Sequence, residues 1–488
     1  MRSLYERRKM AKIVFVQTEL RDRYGPLCLY SYLKKHNHES DVFCDNAEDD
    51  IVTSILDAEP DIIGFSSMTT EFKSHLSIAN EIKKKKKNIP ILFGGPHPTF
   101  YPEIINEESI DVICMNEGED AVLELMNVID EFSDDLAQAR DIKNLWIKEG
   151  DNIHKNSIRD LQENLDLVSP LDRDIYYNRY EILKVNPTRT IYIGRGCPFG
   201  CAYCFNHSLK KMVEGKGKFI RMRSNDNVFD EIRYLKENYG LKWVQFNDDT
   251  FNLQREWMVN FLKAYEKEIK IPFICNVRVD FLDEELIKRL KVAGCDRANF
   301  GVEHGSYAVR KKLLKRNITD DHLIGAGKLF KKYKIRVNTT NIIGLPDETI
   351  DDAMKTIEIN RAVQPEFSAF SLLQPFPKTE IYDYVSKHGY LCDDFCFDQL
   401  STFTQEFKSD RPLSQIKNDS IKELGNIQAL SHYLIHFPFL TTIIIDVLIK
   451  LPFTRLYQRA YLLPYYLIKL KFEDSLKRKI DLIKHIFL

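Results

Sequence analysis

The chain has 488 residues, enough for about two to four domains of ~150 residues each, so a small disulfide-stapled scaffold is excluded. Lysine and arginine number 70 against 72 aspartate and glutamate, a net charge of −2 that gives no global attraction for nucleic acid, and no nucleic-acid partner is expected. With 44 % hydrophobic and 29 % charged residues the composition is that of a globular protein, neither disordered nor fibrous. Ten cysteines at irregular spacing predict a reducing cytoplasm. The N-terminal stretch carries Arg2, Glu6, Arg7, Arg8 and Lys9, and the apolar run 13–16 after it is too short for an export signal.

From about residue 12 to 130 short apolar runs alternate with amphipathic stretches, the pattern of a parallel sheet wrapped by helices. Strands are predicted at 12–17, 40–44, 62–66, 91–94 and 112–115, and helices at 26–35, 72–87 and 119–132. In such a doubly wound domain, read here as residues 10–135, a ligand lies beyond the carboxyl ends of the strands. Those ends carry Gly64, Ser66, Ser67, Gly94, Gly95, His97 and the turn Glu117-Gly118-Glu119. Gly94 and Gly95 are equally read as a positive-φ turn, and His97 as a loop residue. The five lysines 83–87 are read as a solvated helix end without function.

Residues 136–188 read as a connector, with a small hairpin at Trp146 and Ile147. A second α/β series spans 189–395, with strands at 190–194, 242–247, 273–277, 297–300, 336–343 and 366–373. Helices fall between them at 225–238, 253–268, 283–293, 319–332 and 349–361. Six strand–helix units are too few for an eight-unit barrel and suit a partial one, with functional groups at the strand C-termini.

The sharpest motif follows the first of these strands: Gly194-Arg-Gly-Cys197-Pro-Phe-Gly-Cys201-Ala-Tyr203-Cys204. Three thiolates on one glycine-rich loop can ligate three irons of a four-iron cluster and leave the fourth open to a substrate or cofactor. A structural zinc site with His207 as fourth ligand, a disulfide, and three unrelated core cysteines are the competing readings.

At these residues the sequence resembles the radical S-adenosylmethionine superfamily, whose hallmark is a Cys-x3-Cys-x2-Cys loop with an aromatic residue before the last cysteine. The resemblance implies a partial (β/α)6 barrel and a [4Fe-4S] cluster on Cys197, Cys201 and Cys204. It implies too that the open iron chelates S-adenosylmethionine, whose reductive cleavage gives a 5′-deoxyadenosyl radical. Asn247-Asp248-Asp249-Thr250-Phe251, Asn276-Val-Arg278-Val-Asp280 and Gly301-Val-Glu303-His-Gly305 end successive strands in keeping with it. Asn341-Ile-Ile343-Gly344-Leu-Pro346-Asp-Glu348 resembles the family's adenine segment, departing at Asn341 and Ile342, and Gln374-Pro-Phe-Pro377-Lys378-Thr379 a later one, departing at Lys378. Tyr203, Glu303, Ile343, Arg278 and Gln374 are accordingly the expected S-adenosylmethionine shell.

Beside that neighbour, the N-terminal domain resembles the cobalamin-binding domain of the same branch. The matching residues are Tyr24, Gly25, Ser66, Ser67, Gly94, Gly95, His97, Glu117 and Gly118. The Asp-x-His-x-x-Gly motif that ligates cobalt in other cobalamin proteins is absent. Cys28, Cys44 and Cys114 read as small buried hydrophobes.

Three functions follow from the resemblance. The first is cobalamin-dependent radical methylation of an unactivated carbon, with a flavodoxin or ferredoxin as electron donor. The second is radical cyclisation of the magnesium-protoporphyrin ester type. The third is a sensor of corrin or cluster without turnover. The tail, 396–488, reads as helical, with Cys392 and Cys396 unrelated to the cluster. Its apolar residues around Phe437, Phe439, Ile443, Val447, Leu451 and Phe453, followed by Tyr457, Tyr461, Tyr465 and Tyr466, suit a helical cap on the barrel. They equally suit a helix in a membrane interface, and with it a lipid-like substrate and peripheral membrane attachment.

Overall fold

A computed structural model describes residues 10–133, 135–168, 170–401, 413–452 and 455–472; the charged stretch of residues 2–9 and Phe453 lie outside them. The chain divides into two compact units. The first comprises residues through Pro187 together with Gly194–Gly196 and Lys210–Leu241, and the second comprises Thr188–Ile193, Cys197–Leu209 and the chain from Lys242 onward.

The first unit is built on β1 (Lys12–Gln17), β2 (Glu39–Cys44), β3 (Ile62–Ser66), β4 (Ile91–Gly94), β5 (Val112–Cys114), β6 (Leu145–Glu149) and β7 (Asn152–Lys155). Their order in the sheet is β2-β1-β3-β4-β5-β6-β7. The first five are parallel, and β6 and β7 add on antiparallel. Ile13, Val14, Phe15 and Val16 are all buried, as expected of a parallel strand covered on both faces. Val14 and Val16 share one core with Phe65, Phe93, Ile78 and Ile82, each buried side chain contributing about 1.5–3 kcal/mol. The order 2-1-3-4-5 reverses direction between β1 and β3, which puts the ligand crevice at the carboxyl ends of those two strands.

The stretch read as a connector does more than connect. The hairpin at Trp146 and Ile147 is β6 with β7, which extends the sheet, and farther on Arg173 and Tyr176 are wholly buried. The helix Ile51–Asp57 escaped the sequence reading because two turns are too short for a periodic signal; Asp50 caps it, accepting from the Thr53 N–H at 3.1 Å.

The second unit carries six parallel strands in sequence order: β8 (Thr188–Ile191), β9 (Trp243–Phe246), β10 (Phe273–Asn276), β11 (Cys295–Glu303), β12 (Arg336–Ile343) and β13 (Phe367–Leu372). The helices between them complete the partial barrel: Arg255–Glu268, Glu284–Val292, Asp320–Lys332 and Ile350–Val363. Side chains alternate along each strand. Val244 and Phe246 pack outward, Phe246 within 5.8 Å of the Phe251, Phe261, Tyr265 and Phe273 rings, whereas Gln245 and Asn247 face inward. The first strand ends earlier than its sequence reading because Gly194 and Arg195 pair instead with Arg221 and Met222, within the first unit. Gly196 has φ +93°, and a Cβ there would meet the Phe219 carbonyl oxygen at 2.3 Å, so only glycine fits.

The tail forms the cap that one of its readings anticipated. Helix Ile421–His436 packs Leu424, Ile427 and Leu434 with Phe367, Phe370 and Leu372 of β13. Helix Arg455–Phe472 brings Tyr461, whose hydroxyl accepts from the Phe370 N–H at 3.0 Å and so occupies a donor of the edge strand. Ile444 and Ile449 are buried, yet Phe439 is 80 % and Leu456 72 % exposed. No helix among the described residues is long and apolar enough to cross a membrane.

Candidate active site

The second unit encloses a cavity of about 420 Å³ at the C-terminal mouth of its barrel. Cys197, Cys201 and Cys204 line it. Their loop is held from both sides: the Ala202 N–H donates to the Leu314 carbonyl at 3.0 Å, and the Ala202 carbonyl accepts from the Ile381 N–H at 2.9 Å. Burial pushes the Cys204 thiol up to about 12 and raises Cys197 too, so ionisation there needs a compensating cation, as bound iron provides. Among the described residues no group of His, Cys, Asp or Glu converges as the ligands of a single ion would. A cubane cluster instead takes each thiolate on a different iron, which this loop fits. His207 Nε2 lies 2.9 Å from Glu380 Oε1, and among the described residues His207 does not converge with the cysteines as the fourth ligand of the zinc reading would.

Two guanidinium groups flank one thiol. Arg278 and Arg316 each place Nη1 3.9 Å from Cys201 Sγ. Arg278 is stacked 3.7 Å over the Phe199 ring and paired with Asp280 at 2.9 Å, while Asn252 brackets its backbone at 2.8 and 2.9 Å. Arg316 donates to the Gly301 carbonyl at 3.1 Å and to the Tyr203 hydroxyl at 3.5 Å. Glu303, buried at φ +66°, completes the group. Burial raises its carboxyl, opposed by Arg316, the Tyr203 hydroxyl and Arg278. Asp249 is likewise raised by burial. Cations and a carboxylate beside an open iron are the groups that hold an amino-acid head by charge-assisted bonds.

Tyr203, Glu303 and Arg278 are thus brought together, and Arg316 joins them without having carried any motif signal. Ile343 and Gln374 are not brought to the cavity. Ile343 is fully buried with Ile357 and Phe370, because alternation on β12 turns its side chain outward. Gln374 donates to the Leu413 carbonyl at 2.8 Å and accepts from the Ser401 N–H at 3.2 Å, tying together three chain segments. Cys392 and Cys396 are engaged through their backbones by Gln415.

In the first unit every residue expected to meet cobalamin follows the carboxyl end of a parallel strand. Tyr24 and Gly25 open the helix Tyr24–Lys35 after β1; Ser66 ends β3 and Ser67 follows it; Gly94 ends β4, and Gly95 and His97 follow. A Cβ on Gly25 or Gly94 would meet nothing nearer than 3.8 Å, so packing within this unit does not demand glycine there. Gly95, at φ +96°, does supply the positive-φ turn. His97 is buried, its Nδ1 3.1 Å from Thr69 Oγ1, and its Nε2 is a buried atom without a partner. Burial lowers it to about 4, so it is neutral at pH 7. These features fit a corrin on the strand ends. Glu117 has another occupation: Arg221 binds it at 2.6 and 3.0 Å and Arg195 at 3.0 Å, while Arg195 also reaches Glu119 at 2.6 Å. Burial would raise the Glu117 carboxyl, yet the two guanidinium groups hold it below its ordinary value. Gly118 precedes the helix Glu119–Phe132.

Comparison with known proteins defines the class. Residues 191–359 match the radical SAM superfamily, and residues 24–126 match the B12 binding domain. The chain belongs to the radical S-adenosylmethionine superfamily, in the branch that carries an N-terminal B12-binding domain. It is a radical S-adenosylmethionine enzyme whose cofactors are a [4Fe-4S] cluster, S-adenosylmethionine and cobalamin. An uncharacterised methyltransferase of Pyrococcus horikoshii is 29 % identical over 381 residues, covering 75 % of this chain and 80 % of that protein. The anaerobic magnesium-protoporphyrin IX monomethyl ester cyclase of Rubrivivax gelatinosus is 24 % identical over 78 % of this chain and 69 % of its own. Among solved structures, the radical S-adenosylmethionine methyltransferase TsrM of Kitasatospora setae, with cobalamin and a [4Fe-4S] cluster bound, shares the fold at a TM-score of 0.63 and 18 % identity, over 77 % of this chain and 75 % of that one.

Proposed function

We propose that the protein methylates an unactivated carbon of a small molecule by cobalamin-dependent radical chemistry. The observation that supports it most is the cavity in which three cysteines, two guanidinium groups and a buried carboxylate meet. When bound, the cluster and S-adenosylmethionine supply a 5′-deoxyadenosyl radical, and cobalamin supplies the methyl carrier. In this reading Cys197, Cys201 and Cys204 hold the cluster. Arg278 and Arg316 take the methionyl carboxylate and Glu303 the ammonium, while burial keeps water from the radical. The corrin rests on Gly25, Ser66, Ser67, Gly94 and Gly95, with residues 10–135 as its domain, 136–188 joining, 189–395 as the radical domain and 396–488 as the cap. An electron donor such as flavodoxin or ferredoxin reduces the cluster in the cytoplasm.

The test is S-adenosylmethionine labelled in its methyl group, given to anaerobically reconstituted enzyme with a small-molecule extract. Label entering a carbon-bound methyl only when cobalamin is supplied supports the proposal; label retained while deoxyadenosine accumulates sinks the methylation step. That second outcome would favour radical cyclisation, which the Rubrivivax relative supports. The sensor reading requires full cluster occupancy and no deoxyadenosine at all.

Exposed Phe439, Ile443, Val447 and Leu456 support peripheral membrane contact and a lipid-like substrate. Sedimentation with anionic vesicles tests this: Phe439→Ser with Leu456→Ser should release the protein, and wild type left wholly in the supernatant contradicts it.

A further inference from the structure

The inward face of the barrel carries a layer of amides. The strand pairing sets Asn276 of β10 beside Asn299 of β11, and Asn299 beside Asn338 of β12, while Asn247 continues β9 at the same level. Asn247, Asn276 and Asn299 line the cavity, as does Thr340, two residues beyond Asn338 on the same face. One layer lower, Arg297 and Arg336 close the barrel by sharing Glu366 at 2.8 and 3.2 Å.

Hydrogen bonds orient two of these amides, Asn276 and Asn299. A backbone carbonyl can only accept, so Asn276 donates through Nδ2 to the Asp248 carbonyl at 3.1 Å. Its Oδ1 then accepts from Asn299 Nδ2 at 3.1 Å, which leaves Asn299 Oδ1 pointing onward. That oxygen and Asn338 Oδ1 are both buried and both lack a partner. On the outward face of the same strand, polar groups are closed on one another. Thr339 Oγ1 donates to Asn360 Oδ1 at 2.6 Å, Asn360 Nδ2 to Asn341 Oδ1 at 2.7 Å, and Asn341 Nδ2 to the Ala369 carbonyl at 3.1 Å. On this strand the open acceptor, Asn338 Oδ1, lies on the inward face, one layer below the cavity-lining Thr340, and an unpaired buried acceptor is unfavourable unless something fills it.

We infer that Asn299 and Asn338 are the substrate anchor: two carbonyl oxygens on adjacent strands that receive N–H or O–H groups, so that the substrate enters with an ammonium, amide or hydroxyl function foremost. This rests on the radical-enzyme reading for what happens above the anchor. Two acceptor oxygens repel a carboxylate or phosphate, so an anionic group is excluded from this end. A substrate with a long apolar part would keep that part outside, toward the mouth.

The test uses full-length protein with S-adenosylmethionine, with and without reconstituted cluster, and ligand-observed NMR. The probes are N-methylacetamide, n-propylammonium and 1-propanol, against N,N-dimethylacetamide and propionate. Donor-bearing probes should bind at least threefold more tightly than the other two. Asn338→Leu, outside the cavity lining, should abolish that preference at unchanged iron content and S-adenosylmethionine affinity, and Asn299→Leu should abolish it too. Should a leucine variant not fold, Asn338→Asp serves: it should tighten n-propylammonium several-fold and leave 1-propanol unmoved. Equal binding of both probe sets, or a preference that survives in the variants, overturns the inference. Absence of iron in wild type would count against the radical reading alone, because the probe preference is read without cluster as well.

Discussion

Both units close buried ions on one another, but the second leaves some polar groups around its cavity open. In the first, each buried ion is matched: Glu231 lies between Arg173 at 2.8 Å and Arg223 at 2.7 Å, Arg23 is paired with Glu71 at 2.8 Å, and Glu117 with Arg221 and Arg195. In the second, around the cavity, Arg278 and Arg316 point at a thiol, Glu303 is held at positive φ, and Asn299 Oδ1 has no partner. Closed networks fix architecture, because removing one member strands the rest. Open ones mark where a ligand completes the set. A carboxylate flanked by arginines is therefore no evidence of a binding site unless some valence is left over, and Glu117 shows the distinction.

That contrast can be broken experimentally. The largest effect belongs to Cys201→Ala, which should abolish deoxyadenosine formation and lower bound iron, checked by iron assay and chromatography of the products. Next, Glu231→Leu strands two buried guanidinium groups and should cost about 3–5 kcal/mol, read from the denaturant midpoint of the first transition. Stability of the first unit should also fall with acid. His75 and His97 are buried neutral at about 4 against an ordinary 6.5, so the unfolded state binds more protons between those values. Stability is present above 6.5 and is lost as pH falls toward 4, by up to about 3 kcal/mol per histidine; His97→Gln should flatten part of the slope. A finer test is Arg316→Met, which removes a cation 3.9 Å from Cys201. Reduction adds negative charge, so the cluster potential should fall, on the order of 100 mV, followed by EPR-monitored titration. An unchanged potential would show that Arg316 does not sense the cluster.

Much of this was legible in the sequence. The strands at 12–17, 62–66 and 91–94 stand where apolar runs between turn signals put them, because parallel strands buried on both faces admit little else. The cysteine loop was legible because three thiols in eight residues have few structural uses. Ile343 and Gln374 show the limit: a motif gives the segment, and only strand parity and tertiary hydrogen bonding decide which atoms reach the cavity. Arg316 was invisible because a lone arginine after a short helix is usually solvent-facing. Asn299 was readable in part, since alternation along β11 puts it on the face of Arg297 and Gly301, but its unpaired oxygen depends on a bond from another strand.

The central claim is that one chain houses cluster, S-adenosylmethionine and cobalamin for radical chemistry. Its most direct test is iron, cobalt and deoxyadenosine measured together on protein reconstituted without oxygen in the presence of cobalamin. About four irons and one cobalt per chain, with deoxyadenosine formed by wild type and absent in Cys201→Ala, is the predicted result. Iron and deoxyadenosine without cobalt would contradict the cobalamin half of the claim, and cluster without deoxyadenosine would contradict the whole.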